Sequence, residues 1–127
     1  MKLIVLRGDQ HQGKTTTIRL VYDILLFQGA QITTPRAPGR NTADFETILT
    51  HNNQRIAICS AGDVLRNVVA NVNKFAKMQN IDVLIIASRP FASLHTQIGS
   101  FKPIYRDKLP KSDMNNAEDA RFIRSRF

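Results

Sequence analysis

The segment that most constrains this chain is an eight-residue stretch near its start, Gly8-Asp9-Gln10-His11-Gln12-Gly13-Lys14-Thr15. It follows the pattern G-x-x-x-x-G-K-[ST], which is typical of a loop that holds nucleotide phosphates. The apolar run 2–6 before it predicts a buried strand. The pattern over 15–27 after it predicts a helix that ends near Gly29. Strand, glycine loop and helix in this order are the context that the motif requires.

The residue types in this stretch suit a phosphate chain. Gly8 and Gly13 allow a tight turn, so that successive backbone N–H groups point into one concavity. The helix that starts near Gly13 adds unpaired N–H groups and the positive end of its dipole. We expect Lys14 to reach the β- and γ-phosphates and the Thr15 hydroxyl to bind Mg²⁺.

The rest of the chain alternates between strand and helix patterns. Further strands are predicted over 30–34, 44–50, 55–59 and 82–87, and further helices over 60–79, 91–98 and 115–126. Prolines and a glycine predict a loop over 35–42, and paired asparagines predict a tight hairpin at 51–54. Residues 100–127 form a basic C-terminal extension or a lid-like segment. The whole chain is therefore expected to be one α/β domain with three layers.

In such sheets, ligands bind beyond the carboxyl ends of the strands. The segments that follow three strands should share this rim: the glycine loop, 60–63 and Ser88-Arg89. Asp63 has two interpretations, a Mg²⁺ ligand or base, and a helix cap in which Ser60 and Asp63 form a capping box. Arg89 either braces a phosphoryl group or is a surface arginine.

Other arginines are weaker candidates. Arg36 and Arg40 lie in a loop that could face the same crevice. Arg121, Arg124 and Arg126 flank Phe122, Ile123 and Phe127, which favours a terminal helix with a solvated basic face over an arginine finger.

The segment GDQHQGKTTT resembles the Walker A motif of the P-loop NTPase superfamily, including its small nucleoside and nucleotide kinases. The resemblance implies a three-layer P-loop NTPase-like fold with a mainly parallel central sheet. It also implies that 8–16 bind nucleotide, with Thr16 on the α-phosphate. The chain departs from the family because neither 55–59 nor 82–87 is followed by the usual Walker B aspartate. It has no Asn-Lys-x-Asp guanine motif either, which disfavours a GTPase switch.

Composition sets broader limits. The chain has 127 residues, enough for one domain, and its 18 Lys and Arg against 10 Asp and Glu give a net charge of +8. That excess favours anionic ligands, although the basic residues are scattered, so nucleic acid is a less favoured partner. The single Cys59 fits a buried hydrophobe and a reducing cytoplasm. We expect neither a signal peptide nor a membrane span, and pairing of two copies is left open.

These observations favour a small cytoplasmic protein that binds ATP or another NTP with Mg²⁺ and transfers the γ-phosphoryl to a small acceptor. In this hypothesis Lys14, Asp63 and Arg89 are catalytic, and Thr15 and Asp63 bind the metal. The alternative is an NTPase or nucleotide-binding regulatory module that acts on a macromolecular partner. A third interpretation is a degenerate P-loop fold that binds nothing tightly.

Overall fold

A computed structural model describes residues 1–38 and 44–127, with the side chains of 35–38 left outside the description. The elements in chain order are β1 (Lys2–Arg7), α1 (Lys14–Phe27), β2 (Gln31–Pro38), β3 (Phe45–His51), β4 (Gln54–Cys59), α2 (Leu65–Lys77), β5 (Val83–Ser88), α3 (Leu94–Ile98), a 3₁₀ turn (Gly99–Phe101), β6 (Ile104–Asp107) and α4 (Asp113–Ser125).

The strands form one mixed sheet in the order β2-β3-β4-β5-β1-β6. The pairs β4/β5, β5/β1 and β1/β6 are parallel, whereas β2/β3 and β3/β4 are antiparallel. The α/β class agrees with the sequence prediction, but the expected three-layer P-loop fold with a mainly parallel sheet is wrong. The reason is the β3–β4 hairpin, which reverses the chain and leaves β2 to pair antiparallel at the edge.

The hairpin itself was predicted correctly. Asn52 and Asn53 have φ of 50° and 62°, so both central residues of the turn adopt the left-handed conformation that asparagine tolerates. His51 pairs with Gln54 across the turn, and the ladder continues to Glu46 opposite Cys59. Because β3 runs against β4, the start of β3 lies at the same edge of the sheet as the end of β4.

Alternate residues of the central strands face opposite layers of helices, as the period of a strand requires. One face packs against α1 and α4, with Ile4, Leu6, Ile58 and Ile85 buried there. The other packs against α2 and α3, with Leu3, Val5, Leu84 and Ile86 buried there. The amphipathic pattern of α2 thus places its apolar side on the sheet, as predicted.

Cys59 is buried in the second of these layers, where its Sγ accepts a hydrogen bond from Asn71 Nδ2 at 3.2 Å. Burial raises the pKa of the thiol to about 11, so it stays protonated at neutral pH. A small buried residue rather than a nucleophile is what this environment supports.

The segment 100–127 contributes to both the sheet and a helical layer. β6 pairs with β1 in parallel, and Ala120 and Ile123 of α4 pack on the α1 side of the sheet. Arg106 and Lys108 hold the fully buried carboxylate of Asp119, each at 2.9 Å. The sequence prediction missed strand β6.

Three local predictions were also wrong. Residues 35–38 continue β2 instead of forming a loop. The rest of the predicted loop, 39–42, lies outside the described residues. Helix α2 begins at Leu65 with Val64 as its N-cap, so Ser60 and Asp63 do not form a capping box. Helix α4 begins two residues early, because the Ser112 hydroxyl accepts a hydrogen bond from Asn115 N at 3.0 Å.

Candidate functional site

The loop between β1 and α1 has the conformation that its glycines permit. Gly13 adopts φ 85° and ψ 23°, a left-handed conformation that favours glycine, and serves as the N-cap of α1. Its carbonyl accepts the first helical hydrogen bond, from Thr17 N at 2.9 Å. The helix has no side-chain cap among the described residues. The first-turn N–H groups are therefore available to a ligand.

The Lys14 side chain folds back over this loop. Its Nζ donates hydrogen bonds to the carbonyl oxygens of Gly8 at 2.6 Å and of Asp9 at 2.7 Å. Lys14 is only 7% exposed. Burial lowers the pKa of its ammonium group, and the negative charge of Asp63 opposes that effect. A buried ammonium held by neutral carbonyls has a strong preference for an anion in their place.

Asp44 is the carboxylate that contacts the loop threonine. The Thr15 hydroxyl donates to Asp44 Oδ1 at 3.0 Å, and the Ser60 hydroxyl lies 3.5 Å from the same oxygen. The neighbouring backbone is fixed, because Phe45 N donates to Ser60 Oγ at 2.8 Å and Ser60 N donates to the Phe45 carbonyl at 2.9 Å. Asp44 thus lies at the rim because β3 starts where β4 ends.

Asp63 and Arg89, both predicted for the site, are joined at the rim. Arg89 Nε donates to Asp63 Oδ1 at 3.3 Å, and its Nη2 donates to Gln10 Oε1 at 2.7 Å. Arg89 N also donates to the Gly62 carbonyl at 3.0 Å. The guanidinium therefore links the loop to the segment that follows β4.

A cavity of about 300 Å³ lies between these elements. Its wall consists of Gln10, His11, Gly13, Lys14, Thr15, Thr16, Asp44, Ser60, Gly62, Asp63 and Lys111. Of the predicted loop residues, Gly8, Asp9 and Gln12 instead line a second cavity of about 320 Å³ on the other side of the loop. Arg89 is in neither wall and reaches the site through Asp63 and Gln10.

Two wall residues were missed by sequence reasoning. Asp44 precedes a strand, so a search for carboxylates after strands overlooks it. Lys111 belongs to the basic segment after β6 and approaches Gly13, where a Cβ would lie 3.4 Å from Lys111 Cγ. The only available signal for Lys111 was its positive charge.

The weaker arginine candidates do not reach this cavity within the described part of the chain. Arg124 Nε donates to Gln28 Oε1 at 2.9 Å, and the Arg126 guanidinium lies 4.7 Å from the centre of the Phe122 ring. The first contact joins α4 to the C-terminal end of α1, and the second lies within α4 and its C-cap. Arg40 and the side chain of Arg36 fall outside the description.

A wider cavity of about 600 Å³ adjoins the first. The two cavities share Asp44, Gly62 and Asp63, and the second extends along the first turns of α2 past Arg66, Asn67 and Asn71. Two molecules bound in these cavities would meet beside Asp44 and Asp63.

The chemistry of the cavity wall fits a nucleotide phosphate chain with Mg²⁺. Lys14, Lys111 and the start of α1 supply positive charge and N–H donors for phosphate. Thr15, Asp44 and Asp63 supply the hard oxygen ligands that Mg²⁺ prefers, alongside phosphate oxygens. No group of three or more His, Cys, Asp or Glu side chains suited to a metal occurs in 1–38 and 44–127.

None of the helices in the described residues is long and apolar enough to cross a bilayer. Comparison of the chain with protein-family models, with characterised proteins and with solved structures finds no match.

Proposed function

We propose that this protein binds the phosphates of ATP or another nucleoside triphosphate in the loop cavity and transfers the γ-phosphoryl group to a small acceptor. The observation that carries the proposal is the buried Lys14 ammonium, held by the Gly8 and Asp9 carbonyls beside the uncapped start of α1. These groups converge on one concavity, which is the arrangement that phosphate oxygens need.

Binding requires an exchange of partners at Lys14. In the free protein its Nζ is satisfied by two carbonyl oxygens, which carry only partial negative charge. A phosphate oxygen is part of an ionised group, so it forms a stronger hydrogen bond with an ammonium group than a neutral carbonyl oxygen does. The carbonyls thus keep the lysine oriented over the loop until phosphate replaces them.

The acceptor belongs in the adjoining cavity beside α2. Asp63 lies in the wall of both cavities, so its carboxylate can accept a proton from an acceptor hydroxyl near the γ-phosphoryl group. Arg89, bonded to Asp63 and Gln10, offsets negative charge on the transferring group. When bound, Mg²⁺ would neutralise charge on the β- and γ-phosphates. Thr15 and one of the two rim carboxylates, Asp44 or Asp63, would hold it.

Incubation with γ-labelled ATP and a panel of nucleosides, nucleotides and sugars tests this function. We expect the label to appear on at least one acceptor and Lys14→Ala to abolish the transfer. Arg89→Lys should lower kcat by about 10²-fold, because lysine cannot bond Asp63 and Gln10 together in one plane. Arg55→Lys, at the opposite end of β4, is the matched control and should leave kcat unchanged.

Absence of transfer to any acceptor, with ATP still bound, would contradict the phosphotransferase function. Release of inorganic phosphate that rises on addition of a protein or nucleic acid would instead favour an NTPase acting on a macromolecular partner.

A further inference from the structure

We infer that Asp44, and not Asp63, is the carboxylate that holds Mg²⁺ together with the Thr15 hydroxyl, an inference that rests on the proposed binding of nucleotide. Asp44 lies outside the Walker A motif and directly precedes β3. The site would therefore replace the missing Walker B aspartate with a residue from a different element of the fold.

Asp44 is in contact with the hydroxyl groups of the cavity wall. The Thr15 hydroxyl donates to Asp44 Oδ1 at 3.0 Å, and the second hydroxyl, of Ser60, lies 3.5 Å from the same oxygen. All three side chains line the cavity that contains Lys14. Two hydroxyls and a carboxylate form a cluster of hard oxygen atoms, which is the ligand type that Mg²⁺ requires.

Asp63 is already paired with Arg89. Its Oδ1 lies 3.3 Å from Arg89 Nε, in an ion pair that already places a cation against the carboxylate. Arg89 is held in turn by Gln10 and by the Gly62 carbonyl. A metal ion at Asp63 would have to compete with this guanidinium. None of the ion pairs within 1–38 and 44–127 involves Asp44, whose carboxylate faces hydroxyl groups instead.

The sheet topology also favours Asp44. β5 ends in Ser88 and β4 is followed by Ser60, so neither strand supplies the metal-binding aspartate expected there, and the Ser88 hydroxyl donates to the Arg89 carbonyl at 2.8 Å. The antiparallel course of β3 brings its first residues beside the last residues of β4, as Glu46 pairs with Cys59. Asp44, two residues before Glu46, therefore lies at the rim even though its strand runs antiparallel to β4.

Binding of Mn²⁺, a paramagnetic substitute for Mg²⁺, tests this assignment without reference to turnover. Electron paramagnetic resonance would follow free Mn²⁺ while Mn²⁺ is titrated into wild-type protein saturated with ATP. Calorimetry would give the affinity for ATP with and without Mg²⁺. We expect Asp44→Asn to weaken Mn²⁺ binding about 10–100-fold. Asp63→Asn, the matched carboxylate on the same rim, should retain the wild-type Mn²⁺ affinity.

Asparagine has the size of aspartate and still accepts a hydrogen bond from Thr15, so Asp44→Asn is expected to keep its fold, which thermal unfolding would verify. Thr15→Val is a second variant that removes the hydroxyl. It should weaken Mn²⁺ binding as well, and the double variant should lose less than the sum of both effects, because the two side chains act on one ion.

Unchanged Mn²⁺ affinity in Asp44→Asn would overturn the inference, as would a loss confined to Asp63→Asn. A wild-type protein that binds ATP equally with and without Mg²⁺ would overturn the inference and leave nucleotide binding intact. A wild-type protein that binds ATP under neither condition would refute the proposed function itself.

Discussion

Gly62 packs directly against the backbone of Ala87, so that a Cβ on Gly62 would overlap the Ala87 carbonyl group and lie 2.8 Å from Ser88 N. The Gly62 carbonyl accepts a hydrogen bond from Arg89 N at 3.0 Å. This contact fixes the segment after β4 against the end of β5. It also sets the relative position of Asp63, which follows Gly62, and Arg89, which lies two residues after Ala87.

Gly62→Ala should therefore destabilise the protein and separate Asp63 from Arg89. Overpacking against backbone atoms, which cannot rotate away, is expected to lower the free energy of unfolding by about 1–3 kcal/mol. Urea denaturation measures the loss. Gly99→Ala is the control, since the nearest atoms to its new Cβ would belong to the His95 side chain, at 3.2 Å or more, rather than to the backbone. An equal effect of both substitutions would contradict the close contact at Gly62.

The position of Asp44 illustrates which parts of the site the sequence predicts and which it does not. The loop residues and the carboxyl-end rim follow from a local pattern and from the geometry of parallel strands. Asp44 depends on the pairing partner of β3, which is a long-range property. The sequence pattern predicts the hairpin at Asn52 and Asn53. It does not predict the strand order that brings the start of β3 to the rim.

The same distinction applies to the fold. The buried strands and the amphipathic α2 have strong periodic patterns, and these were predicted. β6 has only four residues, Ile104–Asp107, none of which is buried, and it follows Pro103 in a polar segment. Its pairing with β1 depends on the sheet already being formed. The mixed sheet was mispredicted for the same reason, since each pairing involves residues distant in sequence.

The buried Asp119 carboxylate should be essential for the stability of the C-terminal segment. It is completely buried, contacts Arg106 and Lys108, and accepts a hydrogen bond from Leu109 N at 3.1 Å. Asp119→Asn would leave a buried cation without its counter-charge. We expect the free energy of unfolding to fall by about 3–5 kcal/mol.

Chemical denaturation of Asp119→Asn beside Asp107→Asn provides the comparison. Asp107 pairs with Arg7 at 3.0 Å but its side chain is 79% exposed. Removal of this surface charge should cost less than about 1 kcal/mol. Similar losses in both variants would show that burial does not distinguish the two ion pairs.

The lowered pKa of Lys14 predicts that nucleotide affinity falls in alkaline solution. Only the protonated ammonium attracts phosphate, and burial favours its neutral form, so the free protein loses this proton below the ordinary value of 10.5. Bound phosphate favours the charged form. ATP affinity should therefore decrease as pH rises through the lowered pKa, by up to about tenfold per pH unit.

Calorimetry between pH 8 and 10.5, where the phosphates of ATP stay fully ionised, follows this decrease. Lys14→Met serves as the control, and its residual affinity should show no such alkaline fall. A wild-type affinity that stays constant or rises across this range would contradict the assignment of Lys14 as the phosphate-binding group.

The most direct test of the account is calorimetric titration of the wild-type protein and Lys14→Ala with ATP and with GTP in the presence of Mg²⁺. We predict that the wild-type protein binds at least one of the two nucleotides, and that Lys14→Ala binds it at least about tenfold more weakly, a difference of about 1.4 kcal/mol. No heat of binding with either nucleotide at millimolar concentration, or equal affinities of the two proteins, would contradict it.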